Sequence, residues 1–377
     1  MAATSKAGLE DVVATSSALC YLDGNRGVLA YCGHDIHDLA DHATFEEVCY
    51  LLWHHRLPTR AELGDLQSQL ASARALPEPI IRLMRQMPTV EGMDALRTLT
   101  SALAHYDREA SDASPAAQYR KAVRLTAQVG TIVATWGRLQ AGGGPIDPDP
   151  VMSHAANFLY MLTGNRPGAP SVRAFDVSLI LHADHELNAS TFAARVAAAT
   201  LTDIYSAAVA AIGALKGPLH GGANADVMRL LLELGEHATT DRVDGAIRDR
   251  LARKEKIPGF GHRVYRTEDP RATHLRQMSK ELGVQAGQLS WFRLSQQIEA
   301  LMKSEKMLSP NVDFYSASTY YALGIPIDLY TPIFAVSRIS GWTAHVLEQY
   351  VNNRLIRPRA DYTGLSYPQR WKSVEQR

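Results

Sequence analysis

"NASTFAARVAAATLTDIYSAAVAAIGALKG" runs from Asn188 to Gly217, and its reading decides the class of fold. Alanine is the best helix former, and its small side chain lets helix axes approach closely. No charge falls between Arg195 and Asp203, or between Asp203 and Lys216. The stretch therefore predicts two buried helices broken near Thr202–Asp203. Such a pair is either the interior of one subunit or a face shared by two. In the second case, Ala198→Glu or Ala208→Glu is expected to break a dimer.

Helical signals continue on both sides. Thr44 stands three residues before Glu47 and Thr59 three before Glu62, and both pairs predict capping boxes. "SHAANFLYMLTG" (Ser153–Gly164) reads as a short apolar helix between Gly/Pro-rich loops near 140–151 and 165–170. Leu230, Leu231 and Leu234, then Val243, Ile247 and Leu251, fall at helical spacing on either side of a loop at Gly235–Thr240. Strand signals are confined to Tyr21–Leu22 and Leu29–Tyr31 around "DGNRG", which predicts one small hairpin. The fold class is all-α, with no repeats and no low-complexity segment.

A chain of 377 residues exceeds one simple core, so two lobes are expected. Lys plus Arg equals Asp plus Glu, 39 each, which argues against nucleic acid as a partner. The three cysteines, Cys20, Cys32 and Cys49, form no C-x-x-C pair and fit a reducing, cytoplasmic compartment. "MAATSKAGLEDVVATSSALC" lacks the apolar core of a secretory signal. The apolar tract near "IYSAAVAAIGAL" is too short to span a bilayer, so no membrane is expected as a partner.

Four stretches carry candidate chemistry. "HADHELNAS" (His182–Ser190) places His182 and His185 three apart, with Glu186 beside them. On one helix that pair binds zinc with Glu186 as a base; otherwise His185 is a polar, substrate-facing histidine. "LKGPLHGGANADVM" (Leu215–Met228) sets His220 on a tight turn between helix ends. It is either a surface turn histidine or a fixed hydrogen-bond donor. "KIPGFGHRVYRTEDPRATH" (Lys256–His274) puts His262 on a second glycine-flanked turn, followed by Arg266 and Arg271. Arginine's planar fork suits carboxylate and phosphate. The fourth runs from Ser309 to Gln349. In it Asp313 stands beside aromatics, where desolvation favours a general base. Arg338 stands in the apolar run "IFAVSRISGW", where it needs an anion unless the helix face is solvated.

The order and spacing of these segments resemble the citrate synthase family over nearly the whole chain. "GPLHGGAN", "GFGHRVYRTEDPRA" and "NVDFYSASTYYALGIP" are similar to its three active-site segments. "FAVSRISGWTAHVLEQ" and "RLIRPRADYTG" are similar to its carboxylate-binding helix and C-terminal segment. The resemblance implies the citrate synthase fold, with a large domain of residues 1–219 and 328–377 and a small domain of residues 220–327. The active site lies in the cleft between them.

The resemblance also implies roles. Asp313 takes a proton from the methyl group of acetyl-CoA. His220 donates to the thioester oxygen, and His262 polarises and protonates the ketone of oxaloacetate. His185, Arg271 and Arg338 hold oxaloacetate, with Arg357 reaching in from the other subunit of a homodimer. Arg266 meets a CoA phosphate, and the backbone around Gly259 and Gly261 takes the adenine. No metal and no cofactor are called for, acetyl-CoA being a co-substrate. Three alternatives stand beside this reading. One is 2-methylcitrate synthase, since one methyl in the acyl pocket shifts discrimination by only about 1–3 kcal/mol. The others are a metal-dependent hydrolase using His182 and His185, and a non-catalytic helical scaffold.

Overall fold

Both capping boxes open helices where their spacing predicts. The Thr44 and Thr59 side chains each accept the backbone N–H three residues on, and Glu47 and Glu62 each accept the cap's own N–H. The computed structural model describes residues 7–9 and 12–377, so part of the segment read for a leader lies outside the described residues.

Three short strands come first: β1 (Cys20–Asp23), β2 (Val28–Tyr31) and β3 (His34–Asp35). The helices α1 (Ile36–His42), α2 (Phe45–His54), α3 (Arg60–Ala73), α4 (Glu78–Gln86), α5 (Gly92–Leu103) and α6 (Pro115–Gln140) follow. Then come α7 (His154–Thr163), α8 (Ala169–His182), α9 (Ala189–Ala198), α10 (Ile204–Lys216), α11 (Ala223–Leu234) and α12 (Thr240–Ala252). The chain continues through α13 (Pro270–Gln285), α14 (Leu289–Lys306), α15 (Val312–Ala322) and α16 (Tyr330–Val351). The all-α expectation stands, and among the described residues no helix is long and apolar enough to cross a membrane. The loop expected through residue 170 ends earlier. Pro170 lies in the first turn of α8, where its missing N–H has no intrahelical partner to lose.

Burial is organised around α16, which is enclosed on nearly every side. Helices α2, α5, α6, α8, α9, α10 and α11 pack against it. A helix apolar all round is stable only when surrounded in this way. Helices α11 to α15 pack chiefly on one another, and α13 also meets α1 and α8.

The alanine-rich stretch forms α9 and α10, with Asp203 capping α10 by accepting the Ser206 N–H. Ala198 and Ala208 face inward, at 0% and 1% exposure within their own chain. The expectation that these two residues form a shared face is therefore corrected. Helical rotation turns Ala193, Ala197, Ala210 and Gly213 outward instead.

The hairpin pairs Cys20 with Tyr31 and Asp23 with Val28, and β3 adds a third antiparallel strand too short to show alternation in sequence. Its turn docks on the Lys256–His274 segment. The Arg266 N–H donates to the Gly24 carbonyl at 2.8 Å. A Cβ at Gly24 would stand 2.2 Å from the Val264 carbonyl oxygen. Gly24→Ala is therefore expected to push the two backbones apart and lower the melting temperature by several degrees, as read by circular dichroism. An unchanged melting temperature would mean that the contact is dispensable.

Candidate active site

The site is built where four chain segments converge beside α16. Helix α8 ends at His182, and the chain turns before His185. The two rings therefore do not share a helix face, and the zinc-helix reading of His182, His185 and Glu186 is corrected. The His182 ring is fully buried, and its Nδ1–H donates to the Ser178 carbonyl at 2.7 Å. Burial pushes its pKa down to about 3. Glu186 is exposed, and among the described residues no group of three or more metal-binding side chains is assembled.

Arg338 sits mid-way along α16, 1% exposed. Its Nε donates to the His182 carbonyl at 2.6 Å, and its guanidinium lies 4.7 Å over the Phe334 ring. No carboxylate pairs with it among the described residues, and burial lowers its pKa to about 10. It is still charged at neutral pH. A buried cation in this state is a receptor for an anion.

Arg271 is buried too, but it is paired. Asp269, the cap of α13, accepts from Arg271 Nε at 2.9 Å and from a terminal nitrogen at 2.8 Å. Asp269 also accepts the Val312 N–H at 3.1 Å, so one carboxylate ties Arg271 to the start of α15. Burial opposes the charge on Arg271, and Asp269 more than restores it.

The histidines have defined tautomers. Backbone N–H groups only donate, so a ring nitrogen facing one must carry the lone pair. His262 Nδ1 accepts from Val264 and Tyr265 at 3.0 and 3.1 Å, which puts the proton on Nε2. His220 Nε2 accepts the Ser190 N–H at 3.2 Å, with the Ser190 hydroxyl at 2.8 Å, which puts the proton on Nδ1. Ser190 lies in the first turn of α9, whose positive end adds to the same preference. Burial, with Arg271 near His262 and Arg338 near His220, pulls both rings down to about 4. Both are thus neutral donors. His185 Nε2 lies 3.1 Å from the Tyr265 hydroxyl, and its ring is 5.2 Å from that of His262.

Asp313 is the second residue of α15. Its helix is capped by Asn311, whose side chain accepts the Asp313 N–H at 3.0 Å and donates to the Gly261 carbonyl at 2.9 Å. One asparagine therefore sets the His262 turn against Asp313. Surrounding protein strips enough water from Asp313 to push its carboxyl up to about 6, against the opposing charges of Arg271 and Arg338.

A cleft of about 190 Å³ opens beside His262, lined by Gly261, His262, Tyr265, Arg266, Asp269 and Met307, whereas His185, His220, Arg271, Asp313 and Arg338 do not line it. Gly259 does not line it. That residue is packed on Phe314, where a Cβ would approach to 2.7 Å, and its φ of +80° favours glycine. Arg357 lies exposed in the segment after α16, and among the described residues no hydrogen bond or ion pair joins it to the site.

A sequence model described as "Citrate synthase, C-terminal domain" matches residues 8–359. Citrate synthase 2 of Bacillus subtilis is 54% identical over 99% of this chain and 100% of its own. A citrate/2-methylcitrate synthase of the same organism is 43% identical over 96% of this chain and 96% of its own, and a 2-methylcitrate synthase of Shewanella oneidensis is 43% identical over 96% of this chain and 95% of its own. A Thermoplasma acidophilum citrate synthase, solved as a ternary complex with carboxymethyl coenzyme A and oxaloacetate, superposes with a TM-score of 0.91. It is 32% identical, covering 98% of this chain and 99% of that one. The chain belongs to the citrate synthase family. It is accordingly an enzyme, an acyltransferase with the citrate synthase fold.

Sequence reasoning missed Ser190, Asp269 and Asn311. Asp269 carried a signal, as a cap residue before Pro270 and two residues from Arg271. The Ser190 contact to His220 spans 30 positions and carried none.

The raised carboxyl of Asp313 has two consequences of opposite sign. In the base role expected from the sequence it must be ionised, so turnover is expected to fall as pH drops through about 6. A folded pKa above the unfolded value makes the charged form a cost to the fold. That cost is full above about 6 and absent below the ordinary carboxylate value. Asp313→Asn should therefore abolish turnover yet raise the melting temperature near pH 7, with the gain fading toward pH ~4. A lower melting temperature at pH 7 would contradict this.

Proposed function

We propose that this chain condenses acetyl-CoA with oxaloacetate and hydrolyses the resulting citryl-CoA to citrate and CoA. The observation that carries the reading is the pair of neutral histidines with opposite tautomers in a chain that also holds a desolvated carboxylate, tied by Asn311 to the His262 turn, and an unpaired buried arginine whose charge acts on His220. Asp313 removes a proton from the acetyl methyl group. His220 Nδ1–H donates to the thioester oxygen as the enol forms, which is essential because a carboxylate alone is too weak for so poor a carbon acid. The enol carbon attacks the ketone carbon of oxaloacetate. The ketone oxygen, already polarised by His262 Nε2–H, takes that proton, and the new C–C bond gives citryl-CoA. Water then cleaves the C–S bond. Arg338, Arg271 and His185 hold the carboxylates of oxaloacetate. Arg266 stands at the cleft mouth for a CoA phosphate, with the backbone at Gly261 toward the adenine.

Residues 220–327 act as a small domain that closes on the rest and excludes water, which strengthens each of these contacts. The compartment is cytoplasmic, and the reaction is the entry to the tricarboxylic acid cycle. The second reading, 2-methylcitrate synthesis from propionyl-CoA, is favoured by relatives of that name at 43% identity. Release of free CoA thiol from acetyl-CoA against propionyl-CoA, each with oxaloacetate, tests both. Acetyl-CoA should give the larger kcat/KM; no release with either would sink the proposal.

The working unit is a homodimer. The outward faces of α9 and α10 carry Ala193, Ala197, Ala210 and Gly213 without a charge among them, a stripe that invites close helix packing. The segment after α16 exposes Leu355, Tyr362, Leu365 and Trp371, apolar groups suited to lie on a second copy. Arg357 lies in this segment and completes the neighbour's site. Gly213→Glu should then yield monomer by size-exclusion chromatography. Arg357→Ala and Asp313→Ala should each be inactive, whereas co-refolded mixed dimers recover about a quarter of wild-type activity, since half are mixed and each has one good site. No recovery with mixed dimers present would rule out sharing.

A further inference from the structure

Arg338, Gly341, His345 and Gln349 run down one face of α16, and the first three meet the loop after α8. Arg338 holds the His182 carbonyl. A Cβ at Gly341 would stand 2.3 Å from the Ala183 carbonyl oxygen and 2.7 Å from Asp184 Oδ1. One turn on, His345 Nε2 lies 3.3 Å from both Asp184 oxygens, with the hydrogen bond to Oδ2. Asp184 and His345 are both 0% exposed, and the proposed reaction uses neither.

Arg195 fixes the state of His345. Its NH1 group donates to His345 Nδ1 at 3.0 Å, and a guanidinium only donates. The imidazole therefore keeps its lone pair on Nδ1 and carries its proton on Nε2, aimed at Asp184. Arg195 is itself held by Gln349 Oε1 at 3.1 Å and by Glu348, which also accepts the Ala18 N–H at 2.8 Å. Burial would raise the Asp184 carboxyl, but His345, the Arg338 charge and local backbone N–H groups, the Glu186 N–H at 3.3 Å among them, hold it below its ordinary range, so it is ionised. A buried carboxylate thus lies along the helix face from a buried arginine yet makes no ion pair with it.

We infer that Asp184 competes with the substrate carboxylate for Arg338, and that His345 is the positioning residue that restrains this competition by holding Asp184 against Gly341. With the Nε2–H donor in place, Arg338 keeps an open guanidinium edge for an incoming anion. Without it, Asp184 turns toward the strongest cation nearby and partly fills the receptor. The inference rests on the reading of Arg338 as an oxaloacetate anchor.

The test uses full-length protein and CoA release with each substrate varied in turn. H345N leaves an acceptor for Arg195 but loses the donor to Asp184. It should raise the oxaloacetate KM roughly tenfold, the scale of a hydrogen bond to a charged group, with the acetyl-CoA KM unchanged and kcat little altered. H345Q places an amide N–H near the lost position and should restore the oxaloacetate KM. D184N removes the competing charge, so it should lower the oxaloacetate KM while lowering the melting temperature of the substrate-free protein. In the double variant, D184N should cancel the effect of H345N. An unchanged oxaloacetate KM in H345N, equal rises for both substrates, or a raised oxaloacetate KM in D184N would overturn the inference. If D184N is insoluble, the H345N against H345Q comparison decides alone. Wild type measured alongside separates the failures: an inactive wild type removes the proposed reaction, whereas an active one with unaltered H345N removes only this role.

Discussion

A guanidinium buried without a carboxylate partner is the constraint around which this molecule is arranged. Moving such a charge out of water costs several kcal/mol even after relaxation. Arg338 meets that cost only in part, through one carbonyl, the face of one ring and the nearby charge of Asp184. The fold can carry it because α16 is packed by seven helices and has apolar surface to spare. The stability of the whole core thus offsets a local instability that has one evident use, the capture of an anion. Arg271 provides the contrast. It is equally buried but has its own carboxylate in Asp269, so it serves as a rigid strut as well as a charge.

The second arrangement concerns direction. Two neutral histidines offer one donor each, and in each case the backbone decides which nitrogen donates. His262 lies on a glycine-flanked turn that folds two N–H groups back onto its Nδ1. His220 is met by the first turn of another helix at its Nε2. Opposite tautomers leave two donors, His220 Nδ1–H and His262 Nε2–H, available for two different oxygens. No side-chain charge is needed to set them, so the donors are in place before any substrate arrives and need little reorganisation during reaction.

Much of this was legible in the sequence because it is written in local patterns. Caps at Thr44 and Thr59, the helix break near Thr202–Asp203, helical spacing at Leu230 to Leu251, and the turn glycines around His220 and His262 are short-range signals. What failed depended on helix rotation or on distant contacts. Which alanines of α9 and α10 face inward is set by what packs against them, and the sequence of an alanine-rich helix shows little preference for either face. The zinc reading failed because spacing alone does not say that α8 ends at His182. Ser190, Asn311 and Asp184 act through partners 30 to 161 positions away, which no window on the chain contains.

These features join at the base. Burial raises the Asp313 carboxyl, while Arg271 and Arg338 restrain that rise. Any anion that neutralises the two arginines relaxes the restraint, so the carboxyl becomes more basic when the cleft is filled by a dicarboxylate than when it is empty. In the proposed reaction, oxaloacetate thereby strengthens the group that must deprotonate acetyl-CoA. The same charge that recruits the first substrate holds the base in check until that substrate is bound. In the proposed reaction an acetyl group that arrives early meets a weaker base and no ketone to attack, so the electrostatics favour deprotonation only once oxaloacetate is bound.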